Sequence, residues 1–184
     1  WLRLAELSFA YAGISARDDV VERGNMAATI ALSGALVAVM LCFAGGNIGD
    51  GPGWRVVVFS AALATAGLLV SWQLVAAFTS VTDAVTIDRD PAAGMRLAAF
   101  LVAAGLILGR AVAGDWHSAD AAVGDFLRAS PAVVLLVALA IVIERIGRPT
   151  AERPRQPFVS HGLGLGGVYV LVALVALAYL GWPE

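Results

Sequence analysis

Apolar positions run along this chain in long blocks, separated by short stretches where most of the charge is gathered. A helix that crosses a bilayer needs about 20 apolar residues. Residues 26–48, 54–79 and 92–112 meet that length, and 131–146 (extended back toward Phe126) and 162–182 supply two more. The block at 4–14 is too short to span. Taken alone it is compatible with a truncated span, an interfacial helix or a signal-peptide remnant, since Ala10-Tyr11-Ala12 has the small-x-small form of a cleavage site.

The pattern also matches itself. A slide of 65 positions lays residues 15–50 on 80–115 without a gap. Ser15/Ser80, Asp18/Asp83, Val20/Val85, Ala27/Ala92, Leu32/Leu97, Gly49/Gly114 and Asp50/Asp115 are then identical. The polar matches at the two ends carry the weight, because apolar ones recur by chance in so Ala- and Leu-rich a chain. Self-similarity at a fixed period points to a duplicated unit. At the same offset residues 4–15 fall on the second half of 54–79, so we read the first block as a spanning helix lacking its start. The opening Trp1 we read as an incomplete or processed N-terminus.

The expected fold class is all-α, a polytopic transmembrane bundle of about six helices. It forms one integral membrane domain over 1–184, with direct-repeat hairpins at about 1–48, 54–113 and 126–183. The third hairpin rests on a thinner match, 157–178 laid on 91–112. Two spans per unit bring successive units in from the same side, related by an axis along the membrane normal. Arg17, Arg23, Arg89, Arg96, Arg145, Arg148, Arg153 and Arg155 lie toward one side; Arg3, Arg55, Arg110 and Arg128 lie toward the other. The positive-inside rule puts the first set in the cytoplasm and both termini in the periplasm.

Composition agrees with a membrane location: 60% of residues are hydrophobic and 14% charged, against about a quarter charged in soluble domains. The bilayer is therefore one partner. The net charge of -2 selects no other, and the lone Cys42 excludes a disulfide framework or a Cys-based metal site. The Arg-rich 145–155 stretch reads as a positive-inside loop rather than a nucleic-acid surface, so no nucleic-acid partner is expected.

Two acidic stretches lead into helices: Asp18, Asp19 and Glu22 ahead of Asn25, and Asp83 and Asp88 ahead of Asp90-Pro91. One reading is capping, with side-chain oxygens satisfying the free N–H groups of the first turn and Pro91 at the first helical position. The other is a cytoplasmic vestibule that attracts cations.

The stretch Val21-Glu22-Arg23-Gly24-Asn25-Met26-Ala27-Ala28, followed by Ile30-Ala31-Leu32-Ser33-Gly34-Ala35-Leu36, resembles the YjfL-like bacterial inner-membrane family, a domain of unknown function. Trp72-Gln73-Leu74-Val75-Ala76-Ala77-Phe78 is similar to that family's Gln-containing third helix, and residues 90–109 resemble its second, weaker copy. Asp90-Pro91 stands where Gly-Asn is expected in that copy. The resemblance covers about residues 15–115 and implies an inner-membrane location and this architecture. It implies no catalytic residue.

Small residues form seams: Gly34 and Ala38 on the second helix, Gly105 and Gly109 on the fourth, Gly162 and Gly166 on the sixth. Such spacings let membrane helices approach closely. Charged groups inside spans have a partner or a task by default. Glu6, with Arg3 three residues before it, and Gln73 are the candidates for an ion or proton path, together with the acids above. Arg96 and Arg110 are expected to snorkel, and Glu144 is expected at the interface. On the outer side Asp50, Asp115, His117, Asp120 and Asp125 match no metal motif, and Asp50 fits turn chemistry. With no nucleophile, base and orienter in a recognisable arrangement, no enzymatic activity is expected, and the residues leave any cofactor unknown. The function read from sequence is a helix-packing assembly or accessory subunit of a homo-oligomer or larger membrane complex. The alternative is a small-cation or proton conduit at the repeat interface.

Overall fold

The computed structural model describes residues 1–148 and 156–181. Its elements are α1 (Leu2–Tyr11), α2 (Met26–Gly45), α3 (Trp54–Phe78), α4 (Val81–Thr86), α5 (Pro91–Ala111), α6 (Ala119–Ile146) and α7 (Leu165–Leu180). Wide π-helical segments, Ala16–Glu22 and Phe158–Gly164, precede α2 and α7. Among the described residues five helical stretches are long and apolar enough to cross a membrane: α2, α3, α5, α6 and Phe158–Leu180. α1 has 10 residues, about half the length a bilayer needs. Arg153, Arg155 and Trp182, used in the topology above, lie outside the described residues.

α5 is the centre of the bundle. Of its most apolar window 78% is buried, against 50% or less for every other span. It packs along α2 on one side and α7 on the other, with α3 and α6 also against it. Ala27 lies against Gly94, Gly34 against Ala98, Ala38 against Gly105 and Gly45 against Gly109. Position numbers rise together along both helices, so α2 and α5 run parallel. α5 and α7 run parallel too, with Ala92 against Gly162 and Ala99 against Gly166. Apolar surface gives little drive between helices in lipid, so close backbone approach must supply the contact. A Cβ at Gly34 would sit 2.5 Å from the Ala98 Cα. α1 joins the core through Phe9, whose ring centroid lies 5.9 Å from that of buried Trp72.

Two elements differ from expectation. α6 begins at Ala119, well before Phe126, and runs straight through Pro131. Proline cannot donate to the carbonyl one turn back, and here the Ser130 hydroxyl donates to Leu127 O at 2.7 Å. The acidic lead-ins are themselves helical, as the π-helical Ala16–Glu22 and as α4. Such single turns are too short to show an apolar period.

Candidate functional site

The two lead-ins end alike. Gly24 has φ +58° and Arg89, 65 positions on, has φ +53°. The next residues, Asn25 and Asp90, share φ −77° with ψ 106° and 108°. Asn25 Oδ1 accepts from the N–H groups of Ala27 and Ala28, and the Asp90 carboxylate accepts from Ala92 and Ala93. The Asn25 N–H donates to Asp19 O and the Asp90 N–H to Ala84 O, both at 2.9 Å. One difference separates them: Asn25 also has a donor, and its Nδ2 reaches Val85 O at 2.8 Å. That bond ties the start of α2 to α4.

A turn further into α5 lies the strongest polar constellation. Arg96 is 1% exposed and Glu144, near the end of α6, is 6% exposed. Arg96 Nε donates to Glu144 Oε1 at 2.8 Å and Nη2 to Oε2 at 2.9 Å, a bidentate pair. Nη1 donates to His161 O at 3.1 Å, which brings in the segment before α7. Arg96 therefore turns inward to a partner rather than snorkelling, and Glu144 is buried inside the protein. A buried charge in an apolar medium is tolerated when paired and hydrogen-bonded, and here the two spans supply each other's partner. Tyr169 of α7 packs edge-on against Phe100, its ring centroid 6.0 Å away. Its buried hydroxyl has no hydrogen-bond partner among the described residues.

At the other end the loops after α2 and α5 clip together. Asp115 Oδ1 accepts from the Asp50 N–H at 2.7 Å, and the Trp116 N–H donates to Asp50 O at 2.8 Å. Gly49 and Gly114 meet backbone to backbone, both at positive φ. A 660 Å³ cavity opens there, lined in part by Asp50, Asp115, His117, Asp125 and Arg128. Arg110 closes the end of α7, donating to Gly181 O at 2.7 Å and Leu180 O at 3.2 Å.

The residues expected to form an ion path are dispersed. Glu6 stands on the exposed face of α1 beside Arg3 at 3.5 Å, and Gln73 is half-buried on α3. Asp18, Glu22, Asp83 and Asp88 are exposed. Asp19 is buried and accepts from the Ser15 N–H at 2.8 Å and from Arg23 at 3.2 Å, so it fastens its own turn. Gly34, Ala38, Gly105, Gly109, Gly162 and Gly166 all face helices of this same chain. Sequence reasoning missed the Arg96–Glu144 pairing. The signal was present in a charge inside each of two apolar blocks, since such a charge calls for a partner.

The fold defines a multi-pass helical membrane protein whose buried charges sit in one layer near the starts of α2 and α5. No protein-family model, curated protein or solved structure matches the chain.

Proposed function

We propose that the chain is a non-catalytic assembly subunit of a membrane complex, built from a duplicated hairpin and a third related one. One observation carries this reading. Among the described residues the buried charged, amide and serine side chains are Asp19, Asn25, Ser60, Ser71, Asp90, Arg96 and Glu144, and the five outside α3 gather at one end of the bundle. Ser71 donates back to its own helix at Gly67 O. The middle of the helix row is apolar, which suits packing and not passage. The likeness to the YjfL-like family belongs to the same proposal and would place the chain in a bacterial inner membrane, and the arginine distribution would put its termini in the periplasm. The test is isolation from native membranes in mild detergent: a complex of more than one chain supports the reading, and a lone monomer overturns it.

The conduit reading has one observation in its favour, the cavity at the α2–α3 and α5–α6 loops with its three carboxylates. Liposome flux that is lost in Asp125→Asn would favour it, and wild-type liposomes without flux would dismiss it.

A further inference from the structure

The contact that joins α2 to α5 is used a second time to join α5 to α7. Ala27 meets Gly94 and Gly34 meets Ala98; the corresponding pairs are Ala92 with Gly162 and Ala99 with Gly166. On the first partner each pair moves by 65 positions and on the second by 68. α5 therefore offers one face to α7 and another to α2. This is a head-to-tail relation, which leaves one unused face at each end of the row.

Both faces are open. The face that corresponds to Ala92 and Ala99 carries Ser160 in the π-helical segment and Gly167, Leu171 and Ala178 on α7, all exposed. A Cβ added at Gly167 would meet nothing within 4 Å, although glycine inside a helix costs about 0.5–1 kcal/mol relative to alanine. The face of α2 that corresponds to Gly94, Ala98, Gly105 and Gly109 carries Thr29, Ser33, Met40 and Ala44. The last three of these are exposed.

We propose that these faces bind each other between two copies of this chain, α7 of one against α2 of the other. The inference rests on the assembly reading above and names its partner. The α2–α5–α7 row would continue in the same register, with Gly167 against Ser33 as Gly34 lies against Ala98, and with Leu171 against Met40, whose larger side chains hold the helices further apart than Ala38 and Gly105 do. The curvature fixes the number of copies. At 3.6 residues per turn the two contact faces of α5 lie about 120° apart, the corner of a six-membered ring. Three inner helices from each of two copies complete such a ring. The 580 Å³ groove lined in part by Leu41, Ala44, Leu106 and Leu177 lies between the two contact faces and becomes its interior.

Disulfide trapping in membranes holding the full-length chain tests this, with buried Cys42 replaced by Ala. Oxidation of Ser33→Cys/Gly167→Cys is expected to convert most of the chain to a covalent dimer without a ladder. Either single cysteine alone is expected to stay monomeric, and the two single variants expressed together to cross-link. Met40→Cys/Leu171→Cys provides a second pair should the first fail to fold. Absence of cross-linking in both folded pairs, or equal cross-linking when Gly167 is replaced by exposed Val70 on α3, would overturn the proposal. If native complexes then contain other chains, the assembly reading survives; if the chain is a monomer, both fall.

Discussion

Arg96 and Glu144 depend on each other. Removing one member of a buried ion pair strands the other charge, a loss of about 3–5 kcal/mol. Glu144→Gln or Arg96→Met is therefore expected to lower the melting temperature in detergent sharply, and Arg96→Met/Glu144→Leu to recover most of the loss. A double variant as unstable as the worse single one would show that the pair is not the source. Arg89 offers the opposite experiment. It holds φ +53° where its counterpart is Gly24, and a left-handed non-glycine residue costs about 1–2 kcal/mol. Arg89→Gly is expected to stabilise the protein and Gly24→Ala to destabilise it, both read from thermal unfolding. The caps Asn25 and Asp90 were legible because capping is local. The ion pair was not, because 48 positions separate its members and each charge stands near the end of its apolar block, where snorkelling was the natural expectation.

At the scale of elements, the same residue type serves two situations. Gly105 lies against the Ala38 backbone, and a Cβ there would come within 2.8 Å of its Cα. Gly105→Val is therefore expected to push α2 and α5 apart and to cost about 1–3 kcal/mol by overpacking. Gly167→Val has open space and is expected to leave the melting temperature of the isolated chain unchanged while weakening self-association. Equal effects of the two substitutions on monomer stability would refute the distinction. The spans were readable because apolar length is a one-dimensional signal. The start of α6 was not, because Pro131 looks like a first helical residue until the Ser130 hydroxyl takes over the orphaned carbonyl. Glycine spacing marked the seams but not which helices they join. Gly34 and Gly105 proved to serve one α2–α5 interface rather than separate ones.

For the whole molecule, the apolar middle of the helix row, the layer of locked charges and the two unused outer faces all bear on how copies of this chain associate. The proposed duplication matters here mainly through geometry: positions 65 apart adopt matching turns, and the proposed dimer would use for a third time a contact used twice inside the chain. Native mass spectrometry of the full-length protein, extracted from its own membrane without stripping lipid, tests this most directly. The account predicts a species with the mass of two chains, which dissociates to single chains when Gly167 becomes Val. A wild-type species with the mass of one chain would contradict it.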